Sequence, residues 1–210
     1  LDLKSTLSFT IKSDDGNKYF TVGYTLKRRC NMGKKILAIS TSLRTNGNSE
    51  TLLDSFIEGA KASGNDVEKI TLKGKRIEFC RGCLACQKIG KCVIDDDSIE
   101  IVKKMKEAKV LVFATPIYYY EMCGQLKTLL DRANSLYDSD YKFEDVYVLS
   151  TAAEDDEGVD ERAVNGVCGW IDCFERCSLK GTVFAGGVTD VGEIKNHPAL
   201  KRAYEMGLKA

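Results

Sequence analysis

Histidine is almost absent from this chain: one in 210 residues, at position 197. With a single imidazole and no nucleophile-elbow pattern, a serine or cysteine hydrolase built on a histidine base is excluded. Net charge is absent too. Lys+Arg and Asp+Glu are both 31, so no surplus draws the chain to nucleic acid or to anionic lipid. No apolar run approaches the roughly 20 residues of a membrane span, and no signal-peptide pattern appears, so a cytoplasmic protein is expected. Two nucleotide signatures are also missing, G-x-G-x-x-G and G-x-x-x-x-G-K-[ST].

Cysteine, by contrast, is plentiful: nine residues, four of them close together. In a cytoplasmic chain such thiols stay reduced, and a tight group of four points to a metal or redox role. A hydrophobic content of 43% over this length suffices for one domain with a sizeable core and a short appendage.

Residues 1–31 read differently from the rest. Leu7–Ile11 and Tyr19–Val22 alternate apolar and polar residues around Asp14-Asp15-Gly16-Asn17, a β-hairpin pattern. Met32-Gly33-Lys34-Lys35 nevertheless resembles a natural start, and consecutive AGG codons for Arg28-Arg29 would form a purine-rich ribosome-binding sequence just upstream. The expectation is an N-terminal extension over 1–31, either a hairpin or a non-native leader, followed by one domain over 32–210.

From Lys35 onward strands and helices alternate. Ile36–Ile39, Val67–Leu72, Val110–Ala114, Val146–Leu149 and Gly181–Ala185 are compact apolar or β-branched runs. Between and after them, helical spacing predicts helices over 50–62, 99–108, 126–136, 159–177 and 198–208. Asp95-Asp96-Asp97-Ser98 suits a helix start, and Pro198 suits a first turn with His197 as its cap. Five such units predict an α/β doubly wound three-layer sandwich with a five-stranded parallel sheet in the order 2-1-3-4-5. Ligands in that architecture sit beyond the carboxyl ends of strands 1 and 3.

Two loops meet at that switch point. The first, Ser40-Thr41-Ser42-Leu43-Arg44-Thr45-Asn46-Gly47-Asn48-Ser49, joins a strand to a helix and is rich in hydroxyls and amides. An ordinary turn with a Ser or Asn cap would use some of the same residues. Ser42, Arg44, Asn46, Gly47, Asn48 and Ser49 together suit an anion at a helix N-terminus. No acid follows strand 2 to hold a ribose, and none precedes Glu50 as a receiver domain would require. A terminal monophosphate fits better, and FMN is the common cofactor of that shape in this architecture. In the second loop, Thr115 to Tyr120, Pro116, Ile117, Tyr118 and Tyr119 offer the flat apolar surface an isoalloxazine needs. Three tyrosines half-buried at a sheet edge are its plainer explanation.

These motifs resemble the flavodoxin-like NAD(P)H-dependent FMN reductases, and within them the iron–sulfur flavoproteins. The family's G-S-P-R-x-x-G-N-[TS] loop is matched by Thr41–Ser49, with Thr41 in place of Gly and Leu43 in place of Pro. Its P-x-Y is matched by Pro116-Ile117-Tyr118, and its Q-L-K-x-x-x-D-R by Gln125–Arg132. The resemblance runs from about Lys34 onward. It implies FMN as cofactor, NAD(P)H as co-substrate, and a homodimer or homotetramer. The acceptor would be a quinone, a nitro or azo compound, a flavin, oxygen or a redox carrier protein. Thr151 and Ala152, in the third strand-end loop, would border the ring. No catalytic side chain is required, because the flavin carries the chemistry. A non-enzymatic flavodoxin-type carrier is the alternative, though such carriers usually present an acidic surface.

Cys80, Cys83, Cys86 and Cys92 form C-x2-C-x2-C-x5-C, with Gly82 and Gly90 easing the backbone. Two-residue gaps let successive thiolates wrap one metal centre. A structural zinc suits separated pairs better, and free thiols or a regulatory disulfide remain open. The spacing resembles the compact motif of the iron–sulfur flavoproteins, which implies a [4Fe–4S] cluster. Cys168, Cys173 and Cys177 read as small core residues of the fourth helix, and Cys123 follows the second loop.

Overall fold

The structure, a computed structural model, describes residues 33–210 in full and, ahead of them, the backbone of two strands. Strands β1 (Lys4–Lys12) and β2 (Tyr19–Lys27) pair antiparallel, Lys4 opposite Lys27 and Lys12 opposite Tyr19. Leu1–Met32 and Gly33–Ala210 are two separate units. The turn expected over 14–17, Cys30 and Met32 lie outside the described residues.

The larger unit alternates strand and helix: β3 (Lys35–Ser40), α1 (Asn48–Ala62), β4 (Asp66–Thr71), a short α2 (Ala85–Ile89) and α3 (Ser98–Glu107). Then come β5 (Val110–Tyr118), β6 (Glu121–Met122), α4 (Gly124–Arg132), a 3-10 turn (Ala133–Leu136) and β7 (Asp145–Thr151). The last elements are α5 (Glu161–Ile171), β8 (Ser178–Ala185) and α6 (Pro198–Lys209). The parallel strands lie in the order β4-β3-β5-β7-β8, which is the expected 2-1-3-4-5.

Alternate side chains of each central strand enter different cores, which explains their unbroken apolar runs. Ile36, Ala38, Val110 and Val112 pack under α1 and α6 with Leu52, Phe56 and Ala203. Leu37, Ile39, Leu111 and Phe113 face α3, α4 and α5 with Met105, Leu126 and Val167.

Two helices end earlier than their spacing suggests. The helix expected over 159–177 covers only Glu161–Ile171. There Cys173 and Phe174 N–H groups fall back on Trp170 and Ile171 carbonyls, turning Phe174 into an aromatic cluster with Tyr141, Phe143 and Trp170. Cys173 is therefore exposed rather than packed in the core, while Cys168 and Cys177 are half-buried. Burial, with Asp145 nearby, pushes the Cys177 thiol up to about 12. The helix expected over 126–136 becomes 3-10 after Arg132. His197 caps α6 as expected, its Nδ1 accepting the Ala199 N–H at 3.1 Å.

Candidate cofactor cleft and cysteine loop

The cleft begins where β3 ends. Thr41 donates its N–H to Ala114 O at 3.0 Å, and its hydroxyl donates to the same carbonyl at 2.9 Å. The Thr41 hydroxyl also meets Cys123 Sγ at 3.1 Å, so the residue standing where the family has glycine ties two loops together in the interior. Beyond it the chain turns tightly. Arg44 N–H reaches Ser42 Oγ at 3.2 Å, and Asn46 takes left-handed backbone at φ 53°. A Cβ on Gly47 would stand 3.0 Å from Ser42 Oγ and 3.3 Å from Arg44 Cβ, so the turn leaves little room for a side chain.

The first bond of α1 runs from Thr51 N–H to Gly47 O at 3.0 Å. The N–H groups of Asn48, Ser49 and Glu50 therefore have no carbonyl within the helix to bond. Those donors, the buried hydroxyls of Ser42 and Ser49 and the exposed Arg44 suit a phosphate dianion. Asn48 plays a different part. Its Nδ2 donates to Asp190 O at 2.9 Å, and its Oδ1 accepts N–H groups of Gly192 at 3.2 Å and Ile194 at 3.4 Å. Arg44 Nη1 also donates to Thr189 O at 2.6 Å. These bonds draw the loop after β8 against the phosphate-type loop as a further wall, with Val188 and Thr189 facing the cleft. No motif in that loop announces this, because the anchor is a side chain some 140 residues earlier.

The opposite wall is a strand that turns back on itself. Tyr118 pairs with Glu121 and Ile117 with Met122, leaving Tyr119 and Tyr120 as a two-residue turn. Both have positive φ, 52° and 65°. Such a turn ordinarily takes Asn-Gly, and two tyrosines there cost about 1 kcal/mol or more each. Tyr119 is 97% exposed. Tyr120 OH donates to Glu154 Oε2 at 2.9 Å, bridging the hairpin to the loop after β7.

Two adjoining hollows, of about 150 and about 290 Å³, share Ile117, Tyr118, Ala152 and Ala153. Ser42, Arg44, Asn48, Ser49, Pro116 and Thr151, with Val188 and Thr189, complete the smaller, and Tyr119, Tyr120, Glu154 and Val159 the larger. Asn46 and Gly47 shape the loop without lining either hollow. One end is thus polar and beside a helix N-terminus, the other apolar and aromatic. Such a cleft suits a flat ring carrying a phosphate tail.

The cysteine loop forms a second feature. Cys80 and Cys83 are exposed, Cys86 is buried in α2 and Cys92 is half-buried. Gly82, Leu84 and Gly90 all take left-handed backbone, at φ 62°, 56° and 74°. Among the described residues no three Cys, His, Asp or Glu side chains converge on a point that would hold a single metal ion. A [4Fe–4S] cluster takes one thiolate per iron, so its ligands spread over separate corners rather than converging. Four thiols on one loop, with Asn134 Nδ2 donating to Cys86 Sγ at 3.3 Å, are a donor set compatible with that arrangement.

A buried ion pair lies at the base of this loop. Arg132 Nη1 and Nη2 meet Asp96 Oδ2 and Oδ1 at 2.5 and 3.1 Å, both side chains fully buried. Burial opposes ionisation of Asp96. Bonds from the Arg132 guanidinium, the Ser98 hydroxyl and the N–H groups of Glu78 and Ser98 outweigh it and hold the carboxyl at about 2. The Asp95–Ser98 run does begin a helix, with Asp96 Oδ1 accepting the Ser98 N–H at 3.0 Å. Its central acid serves the arginine as well. The signal was an arginine three residues after Leu129, on the apolar face of α4.

Fold and cleft together define a flavodoxin-like α/β protein with a cleft at its switch point. The profile of the NADPH-dependent FMN reductase family matches residues 34–165, more than half of the chain. The chain belongs to that family. An iron–sulfur flavoprotein of Methanocaldococcus jannaschii is 39% identical over 102 residues, 49% of this chain and 53% of the relative. This chain thus spans about half the length of that relative. An iron–sulfur flavoprotein of Methanosarcina thermophila is 28% identical over 79% of this chain and 84% of its own length. Among solved structures, an NAD(P)H:quinone oxidoreductase from Methanothermobacter marburgensis superposes with a TM-score of 0.66 at 19% identity. That superposition covers 84% of this chain and 96% of the other.

Proposed function

We propose that this protein is an FMN-dependent NAD(P)H oxidoreductase that passes electrons to a small-molecule acceptor or a redox carrier protein. The observation that carries the reading is the cleft itself: a helix N-terminus with buried hydroxyls at one end and an aromatic hairpin at the other, in a chain of the FMN reductase family. FMN, when bound, supplies two-electron uptake from a reduced nicotinamide and onward delivery to the acceptor. The protein's own part is binding and orientation. Ser42, Ser49, Arg44 and the first N–H groups of α1 would hold the phosphate. Gly47 keeps the loop close enough for that, and Asn48 holds the loop after β8 as a further wall. Pro116, Ile117, Tyr118 and Tyr119 would face the ring from one side, with Thr151 and Ala152 at its edge. A homodimer or homotetramer belongs to this proposal, supported by the exposure of Tyr119 at the open end of the cleft. So does a cytoplasmic setting, where a tight group of four cysteines stays reduced.

The finer reading is that Cys80, Cys83, Cys86 and Cys92 hold a [4Fe–4S] cluster, supported by the motif and by the naming of the relatives. Anaerobic purification tests both parts. A flavin spectrum with broad additional visible absorbance and bound iron is expected; flavin without iron would sink the cluster, and a colourless protein the whole reading. Arg44→Ala is expected to weaken FMN retention about tenfold, a difference of ~1.4 kcal/mol, measured by flavin release on dilution. Unchanged occupancy would remove Arg44 from the site.

A further inference from the structure

One arginine closes the cysteine loop at its neck. Arg132 Nη1 donates to Glu78 O at 2.6 Å and Nη2 to Ile94 O at 3.2 Å. A single guanidinium therefore bridges the residue two before Cys80 and the residue two after Cys92. Asp96, the anion opposite, also accepts the Glu78 N–H at 2.8 Å, so both chain ends of the loop are fastened to one fully buried pair. Everything from Phe79 to Val93, including all four cysteines of the motif, leaves and returns through that fork.

Two further contacts lie on the loop side of this clasp. Arg132 Nε–H is buried and has no hydrogen-bond partner among the described residues. Arg132 and Cys92 border the same cavity. Two residues on, Asn134 Nδ2 donates to Cys86 Sγ. A buried donor without an acceptor is unfavourable, and a neutral thiol is a weak acceptor, whereas an anionic sulfur is a good one. The last residue of α4 and the 3-10 turn after it therefore present N–H donors beside Cys92 and Cys86.

The geometry points to Arg132 and Asn134 as positioning residues of a four-thiolate cluster site: Arg132 closes the loop and keeps a free N–H at the cavity it shares with Cys92, while Asn134 holds the sulfur of Cys86. This rests on the cluster reading above and extends it to residues that ligate nothing. Hydrogen bonds to ligand sulfur stabilise the more negative state of a cluster and raise its potential, and outer partners of this kind govern metal retention. The clasp lies outside the flavin cleft, so the two cofactors are expected to respond differently to its loss.

The test compares the unaltered protein with Arg132→Lys and Asn134→Ala, all purified anaerobically. Iron per chain under chelator challenge, flavin per chain and the cluster's midpoint potential are measured on each. Arg132→Lys keeps a cation opposite Asp96 but loses the fork, and is expected to hold iron ~10-fold less well with flavin occupancy unchanged. Asn134→Ala is expected to keep its iron and show a lower midpoint potential. Iron retention and potential matching the unaltered protein in both variants would overturn the assignment while leaving the cluster reading intact. An unaltered protein that carries flavin but no iron would overturn both. Should Arg132→Lys fail to fold, Asn134→Ala decides by itself, an unchanged potential counting against the proposal.

Discussion

Asp96 forms an ion pair with Arg132 in which both side chains are fully buried. In the unfolded chain it titrates in the ordinary range near ~4, whereas the folded protein holds it at about 2. A carboxyl with a lowered pKa adds stability that is complete above the unfolded value and is lost as pH falls through the folded one. The contribution is on the order of 2 kcal/mol, vanishing between about pH 4 and pH 2. Asp96→Asn is expected to be less stable by about 3 kcal/mol or more at pH 7, because it leaves the Arg132 cation buried and unpaired. Between pH 4 and pH 2 its stability should fall less steeply than that of the unaltered protein. Urea melts at stepped pH check this, and equal slopes for the two proteins would assign the acid sensitivity elsewhere. The pairing was not legible in the sequence; only the place of Arg132 on the apolar face of α4 marked its burial. Asp96 read as a helix-start acid and Arg132 as part of a family pattern; the two are brought together across 36 residues by the packing of α3 on α4.

At the scale of elements, the helix pair α1 and α6 shows how closely the layers are fitted. A Cβ on Gly59 would stand 2.0 Å from Tyr204 O, and one on Gly207 would stand 2.1 Å from Phe56 O. Backbone meets backbone at both positions, with no flexible side chain to yield. Gly207→Ala is expected to lower stability by about 1–3 kcal/mol, read as a drop in thermal midpoint. Gly169→Ala, on the exposed face of α5 with open space around the position, should instead be neutral or stabilising by about 0.5–1 kcal/mol. A smaller loss at 207 than at 169 would contradict this packing. The strands themselves were legible: central runs such as Val110–Ala114 suit a sheet covered on both faces, and the half-exposed edge strand β4 is marked by its β-branched residues. Helix ends were less so. Spacing carries on through Phe174 and Cys177, but the aromatic cluster captures Phe174 and ends the helix at Ile171.

At the scale of the whole molecule, the sheet, both cores and every residue assigned to the cleft and cysteine loop lie within Gly33–Ala210. A chain beginning at Gly33 is therefore expected to keep the flavin occupancy and thermal midpoint of the 210-residue protein, measured side by side; loss of either would give residues 1–32 a part in the larger unit. The sequence by itself determined the sheet order, the place of the cleft and the residue types at its two ends. Those follow from local patterning: unbroken apolar strands require cover on both faces, and a parallel sheet so covered opens at one switch point. Only the tertiary structure decided the duties of particular side chains. Asn48 reads as a phosphate-loop amide, yet all three of its hydrogen bonds go to the loop after β8. Arg132 reads only as the last residue of a family pattern, yet it is the buried clasp of the cysteine loop. A side chain's partners are set by which segments pack beside it, and segments separated by tens to hundreds of residues leave no mark on one another in the linear order.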